Sequence, residues 1–318
     1  VALLAALWLV VMITTAGLQF ASVARERRQL GIISSDQSRD RAALDGALSQ
    51  AQARLEWEDT ERLRADARRT PTRRTSLASD PWQNLSQRFV NPLLMGERTV
   101  SVQVVDLGTV LNLNLASETE LASLIASVVG ESSDAKALAQ AIIDWRDQDT
   151  IARPLGAEAD RYRRAGLPVQ PANGLFHAVD DLLDVWGVTP PLFERLRPFL
   201  TVDGAVRRIN LNAAPAVVLR TLPGMTEPLL TTILALRSRG RRVESIPALV
   251  SAAQNAGRAE PGEREALARV LSDAISLDTR DVALELAIAE PRQLQPAQLV
   301  AVLHRNGDGT VDVVARRW

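Results

Sequence analysis

Residues 99–115 read TVSVQVVDLGTVLNLNL. Val100, Val102 and Val104 alternate with polar neighbours, the period-two pattern of a strand with one buried face. Thr109–Leu115 alternates again, and Asp106-Leu107-Gly108 between the two runs predicts a tight turn and therefore a hairpin. The same pattern returns near the other end of the chain, in Val282–Ala289 (VALELAIA), Leu299–His304 (LVAVLH) and Val311–Arg316 (VDVVAR). Asn306-Gly307-Asp308-Gly309 supplies residues that tolerate positive φ for the last of these turns. That cluster has the polar spacing of a calcium loop but lacks the downstream bidentate glutamate, so it reads as a hairpin turn.

Between these strand regions, residues 116–275 read as almost entirely helical. Ser117 and Glu120 form a capping box ahead of an apolar-periodic segment, and Asp134 precedes a helix carrying Leu138, Ala141, Ile142 and Trp145. Further helices are predicted over Ala178–Trp186, Pro191–Phe199, Pro215–Thr221, Pro228–Ser238 and Ile246–Gln254. Pro191, Pro215 and Pro228 stand where first-turn prolines belong. Strands early, helices in the middle and strands late predict an α+β fold in which a helical domain is inserted into a sheet domain.

The 318 residues suggest about two domains. Apolar residues make up 46% and charged residues 24%, the balance of a folded protein. Lys+Arg is 37 against Asp+Glu 38, so no global field recruits nucleic acid or an acidic substrate. With no cysteine and only His177 and His304, disulfide frameworks, Cys-zinc sites, iron–sulfur clusters and thiol nucleophiles are excluded. His177 precedes an acidic helix and reads as a cap or surface residue; Trp145, Trp186 and Phe199 follow apolar spacing and read as core. No enzyme is expected.

Working outward to the start, VALLAALWLVVMITTAGLQFASVA (1–24) carries no charged side chain; the first is Arg25. A hydrocarbon core of about 30 Å takes roughly 20 apolar residues in a helix, so the run is expected to span a membrane. An uncleaved secretory signal would want a basic leader, a shorter apolar core and a small-residue cleavage site. Arg25, Arg27 and Arg28 follow the span, which the positive-inside rule would place in the cytoplasm, whereas a chain starting flush on apolar residues suggests that a basic leader has been removed. Over residues 24–57, Leu44, Leu48, Ala51 and Leu55 share one helical face, with Gly31 and Ser34-Ser35 as points of bending. Residues 59–80, rich in arginine, threonine and aspartate, read as a solvated loop.

These features resemble one family in combination. They are the apolar start at Val1, the Asp106–Leu115 strand ending in LNLN, and Ile142-Ile143-Asp144-Trp145-Arg146-Asp147-Gln148-Asp149. Then come Gly156-Ala157-Glu158 with Tyr162, Asn173 ahead of an acidic helix, and Trp186-Gly187-Val188-Thr189-Pro190. Last are Ile209-Asn210-Leu211-Asn212-Ala213-Ala214-Pro215 and Leu222-Pro223-Gly224-Met225. In this order they resemble the type II secretion system protein K family of minor pseudopilins. The resemblance implies a pilin-like long N-terminal helix plus antiparallel sheet, carrying a large all-helical insertion related to SAM and helix-hairpin-helix modules. It divides the chain into a transmembrane helix (1–24), an amphipathic stalk (25–57), a pilin-like α/β domain (58–115 and 276–318) and the inserted domain (116–275). It also implies maturation by prepilin peptidase, an inner-membrane anchor with the body in the periplasm, and a place at the pseudopilus tip with minor pseudopilins I and J. No catalysis and no small-molecule substrate are implied. At the fifth position, where most pilins carry a glutamate, this chain has Ala5. A tip subunit has no neighbour above it whose terminal ammonium needs a buried carboxylate, because an unpaired charge in lipid is costly. Ala5 is equally what a continuous membrane span would place there.

Asp144, Asp147, Asp149, Glu158 and Asp160 fall within 17 residues. Asp144 and Asp147 are three apart on a helix end, and Arg153-Pro154-Leu155-Gly156 turns the chain so that Glu158 and Asp160 return. Carboxylates without His or Cys suit a hard cation with six to eight oxygens, and the resemblance implies calcium. The competing reading has the same carboxylates answering Arg146, Arg153, Arg161, Arg163 and Arg164. A two-metal nuclease lacks a supporting Lys or His constellation.

The rival function is a membrane-anchored helix-hairpin-helix protein for DNA binding or uptake. Ile209–Gly240 resembles such modules, and residues 207–242 hold seven arginines and one acid, Glu227. Those modules offer phosphate a P-G-x-G hairpin; here it is Pro223-Gly224-Met225-Thr226, which loses the second close backbone approach.

Overall fold

The computed structural model describes residues 2–66, 80, 82, 85–130, 133–204, 208–255, 268–271, 274–288 and 297–318. Before residue 35 few side chains are included. Helix α1 (Ala2–Asp66) is continuous over 65 residues, about 98 Å of helix. It passes through Gly31 and Ser34-Ser35 unbroken. Among the described residues no helix is long and apolar enough to cross a membrane; the expected span at 1–24 rests largely on side chains outside those described, as do Val1 and the Ala5 side chain.

The second half of α1 lies on a five-stranded sheet in the order β1-β2-β7-β8-β9. The strands are β1 (Leu93–Met95), β2 (Arg98–Asp106), β7 (Asp281–Ile288), β8 (Ala297–Arg305) and β9 (Val311–Arg317), every neighbouring pair antiparallel. Leu44, Leu48, Ala51 and Leu55 are buried against Val100, Val102, Val282, Leu284, Leu286, Ile288, Leu299, Ala301 and Leu303. The helical stripe and the period-two faces of the strands therefore make one core. Two partly enclosed ion pairs bracket it: Asp40 with Arg98 at 2.9 Å and Asp59 with Arg305 at 2.5 Å. Between them Gln52 donates to the Val311 carbonyl (2.7 Å) and Glu56 accepts from its N–H (3.1 Å), covering part of the sheet edge.

Two expectations are corrected here. The stretch from residue 59, expected as a loop, is helix as far as Asp66, because Asp59 is held by Arg305 and Leu63 packs on the β8–β9 turn; the rest of that expected loop, 67–79, lies outside the described residues. Gly309 sits at φ +92°, and a Cβ there would meet Leu63 Cδ1 at 2.9 Å. The second correction is that β2 does not form a hairpin with the following strand. Asp106 Oδ1 accepts from Gly108 N (2.8 Å) and caps a 3-10 turn over Leu107–Thr109, which carries the chain out of the sheet. β3 (Leu111–Asn112) then pairs in parallel with β4 (Leu200–Thr201), and β2 takes β1 and β7 as neighbours.

Residues 111–279 hold two copies of one arrangement. In the first, β3 pairs with β4, Asn114 N donates to Asn112 Oδ1 (2.8 Å), and the Asn114 amide exchanges bonds with both backbone groups of Phe176. In the second, β5 (Ile209–Asn210) pairs in parallel with β6 (Ile275–Ser276), and Asn212 N donates to Asn210 Oδ1 (2.9 Å). The Asn212 amide there holds Val243 N (2.7 Å), Val243 O (3.1 Å) and Leu277 O (2.8 Å). α3 (Glu118–Val129) and α4 (Ser133–Arg146) follow β3; α7 (Ala216–Leu219) and α8 (Glu227–Ser238) follow β5. In each copy an arginine of the second helix caps carbonyls of the loop after the strand. Arg146 donates to Leu113 O and Ala116 O, and Arg237 to Ala214 O and Ala213 O. The first copy adds α5 (Ala159–Arg164), a 3-10 turn over Val179–Asp184, and α6 (Pro190–Leu196). The second adds α9 (Ile246–Asn255). The Ser117–Glu120 capping box forms as expected.

A bulge joins the two parts of the molecule. Val302 pairs with Ala315 and Leu303 with Val313, leaving Val314 without a partner across the strand. The extra residue flips the pleat, so Arg316 reaches Asp45 of α1 (3.3 Å) while Arg317 reaches the His177 carbonyl and Asp203 (3.3 Å) of the helical part.

Asn212→Ala strips partners from the backbone N–H and carbonyl of buried Val243. It is expected to cost about 2–4 kcal/mol in urea unfolding; Asn114→Ala, half exposed to solvent, should cost less. Asp106, where the sheet meets the helical part, has its carboxyl raised to about 6 by burial. A carboxyl raised on folding binds more protons in the folded state, so its contribution grows as pH falls from 7 toward 4 and is lost as pH rises through 6. Asp106→Asn is expected to flatten that slope, removing about 2–3 kcal/mol of pH dependence.

Candidate functional site

α4 delivers Asp144 and Asp147 on its last turn, and the chain then loops back through residues 148–158 to start α5. Asp144 is completely buried. Its Oδ2 accepts from Arg153 N (3.2 Å), and a Cβ on Gly156 would lie 2.0 Å from that oxygen, so only glycine lets the loop close over the carboxylate. Asp149 turns the loop, its Oδ1 accepting from Ile151 N at 2.8 Å. Leu155 N is held by Gln140 Oε1 at 2.8 Å. Glu158 occupies the N-cap of α5 but makes no side-chain cap bond, and it is 5% exposed.

Asp147, Asp149 and Glu158 each bring one oxygen into a group whose members lie within 4.8 Å of one another. Asp144 lies beneath the loop that presents them. Asp160 is not drawn in: Arg163 holds its carboxylate, and Arg164 donates to its carbonyl. Among the described residues, Asp144 Oδ1, Asp147 Oδ1 and both Glu158 oxygens are buried without a hydrogen-bond partner. The pKa of Glu158 is raised by burial and then by the charge of Asp144; that of Asp147 by burial and then by Asp149; that of Asp144 chiefly by burial. Crowded, desolvated carboxylates with lone pairs to spare want positive charge. An all-oxygen set with no His or Cys fits a hard divalent cation.

The arginines expected to answer these acids are mostly committed elsewhere. Arg146 caps the Leu113 and Ala116 carbonyls; Arg161 donates to Leu155 O and Gly156 O and stacks on Trp186. Arg153 reaches Asp144 and Asp147 through contacts of 3.4 and 3.8 Å. Trp145, Tyr162, Phe176 and Trp186 form a cluster of aromatic rings, and the Trp186 backbone N–H donates to the Tyr162 hydroxyl (2.6 Å). Asn173, named in the sequence only for the family resemblance and not as a site residue, stands at φ +45° with its Oδ1 buried and unpartnered while its Nδ2 donates to Asp149 O (3.2 Å). An asparagine beside Gly174 was the available signal, since Asn tolerates positive φ.

Three of the seven arginines between 207 and 242 are engaged within the protein, while Arg208, Arg239 and Arg241 are exposed. Arg237 and Arg242 are spent on backbone carbonyls, Arg242 also on Asp278, and Arg220 is paired with Glu227. Arg207 lies outside the described residues. His177 is exposed and bonded through its backbone, and His304 is paired with Asp281 at 2.6 Å.

Comparison with known proteins bears on both the fold and this loop. The family model for type II secretion system protein K matches residues 104–204, which contain the whole acidic loop. A type II secretion system protein K from Pectobacterium carotovorum subsp. carotovorum is 26% identical over 282 residues, 80% of this chain and 79% of that one. The crystal structure of the GspK-GspI-GspJ complex from the enterotoxigenic Escherichia coli type 2 secretion system contains a chain of the same fold. It matches with a TM-score of 0.59 and 18% identity, covering 89% of this chain and 98% of that one. The chain is similar to the type II secretion system protein K family, through a family model over residues 104–204 and a relative 26% identical to it.

Proposed function

We propose that this chain is a minor pseudopilin that sits at the tip of the type II secretion pseudopilus and initiates or caps the filament that moves folded proteins across the outer membrane. The observation carrying this reading is the long helix α1 laid on a sheet whose strands come from both sides of a helical lobe. That is a filament-building half bearing a load, with no substrate cleft demanded of it. The role is structural and not catalytic. The second half of α1 with strands β1, β2, β7, β8 and β9 forms the pilin-like part, and residues 111–279 form the inserted lobe. The GspK of the E. coli complex is found with GspI and GspJ; we assign the same two classes of partner, minor pseudopilins I and J, to this chain. We read 1–24 as a single inner-membrane span, since it holds no charge before Arg25, with the remainder in the periplasm and Ala5 suited to a subunit with none above it.

The acidic loop is read as a calcium site. Asp147, Asp149 and Glu158 would be its carboxylate ligands, with Asp144 and Asn173 adding buried oxygens behind them. A bound cation would tie α4 to α5 and fix the surface of the lobe; no reaction is assigned to it.

The chain from residue 25 onward is expected to co-purify with the soluble parts of minor pseudopilins I and J as a stoichiometric complex on size exclusion. No association at micromolar concentrations, with salt-dependent retention of duplex DNA instead, would favour the helix-hairpin-helix alternative. Millimolar calcium is expected to raise Tm by about 3–8 °C. Asp149→Ala should abolish that gain, and melting curves that coincide with and without chelator would remove the site.

A further inference from the structure

The acidic loop contains its own cation. Arg153 sits in the turn that returns Glu158 to α4, and its guanidinium is shared among three carboxylates. Nε lies 3.4 Å from Asp144 Oδ1, one terminal nitrogen 3.8 Å from Asp147 Oδ2, and the other 3.7 Å from Glu118 Oε2. No contact is as short as a charge-assisted hydrogen bond, and Nε is buried with no hydrogen-bond partner. The arginine therefore neutralises the group by proximity and is not locked to any member of it. Its side chain is 40% exposed, so it has room to leave. Glu118 stands outside the converging set, on the first turn of α3, steadied by Gln140 Nε2 at 2.8 Å. Asp147 is thus both a converging oxygen donor and a partner of the guanidinium, so arginine and divalent cation draw on the same charge.

We infer that Arg153 is an internal competitor that sets the affinity of the acidic loop for a divalent cation, neutralising Asp144 and Asp147 when the loop is empty and yielding toward Glu118 when it is filled. This rests on the calcium reading above. Its physical basis is that a like charge about 4 Å from a cation opposes binding even at an intermediate dielectric. The same charge stabilises the empty loop, whose carboxylates otherwise repel one another. Affinity and empty-state stability are therefore predicted to move in opposite directions when Arg153 is changed.

The test is calcium titration by calorimetry, with thermal melting in chelator, on the full chain in detergent. Arg153→Met is expected to bind calcium at least about tenfold more tightly than the unmodified protein, while its Tm in chelator falls. Glu118→Gln, which removes the seat outside the loop, is expected to weaken calcium binding several-fold and provides a reading should Arg153→Met fail to fold. If the unmodified chain binds calcium and Arg153→Met binds equally or more weakly, or Glu118→Gln binds more tightly, the competitor role is overturned and the calcium site stands. If neither the unmodified chain nor Arg153→Met binds calcium, the site itself falls and the inference with it.

Discussion

The pairing of β2 with β7 is the constraint on which the rest depends. Val100 faces Ile288 and Asp106 faces Val282 across an antiparallel ladder between segments nearly two hundred residues apart. Until that ladder closes, neither strand has a complete buried face to offer α1, because Val100 and Val102 share one core with Val282, Leu284, Leu286 and Ile288. Its closure also brings the two ends of the helical part together, so a large lobe enters and leaves the sheet through neighbouring strands. The entropic cost of such a long loop grows only slowly with its length, which makes an insertion of this size tolerable.

The lobe solves its own problem twice. Each copy starts from a two-residue parallel bridge too short to be stable by itself, and each compensates with buried asparagines and one arginine that ties loop carbonyls together. Such fully satisfied polar groups specify an arrangement because the alternatives leave them unpaired. Chemistry has been added to one copy alone. Beside Arg146 stand Asp144 and Asp147, whereas beside Arg237 the matching positions are Ala235 and Ser238. The scaffold is shared; the charge belongs to the first copy.

Much of this was legible in the residues. The stripe Leu44, Leu48, Ala51 and Leu55, the three C-terminal strands and the Ser117–Glu120 box are local patterns in which periodicity and capping act within a few residues, and all are observed. Pattern reading failed where a distant partner decided the outcome. Thr109–Leu115 alternates like a hairpin strand, but its asparagines are spent on Asp203 and Phe176 and not on a neighbouring strand. The end of α1 reads as a loop until Arg305 is seen to bury Asp59. The acidic loop was visible as a cluster of five, yet the path of the loop through Gly156 brings Asp147, Asp149 and Glu158 together and leaves Asp160 with Arg163. The likeness of LNLN (111–114) to INLN (209–212) takes on meaning only through hydrogen bonds that a linear reading does not contain.

The most direct measurement removes the lobe. Asp106 and Val282 are opposed across the ladder, so a two-residue Asn-Gly turn is expected to replace residues 107–281 and close β2 onto β7. In a chain beginning at residue 35, far-ultraviolet circular dichroism and thermal melting would report whether α1 and the sheet stand without their passenger. The account predicts a shortened protein with mixed helix and sheet signal and a single cooperative transition. A non-cooperative melt, with the sheet signal lost, would contradict it and make the helical part a component of the core, not a load carried on it.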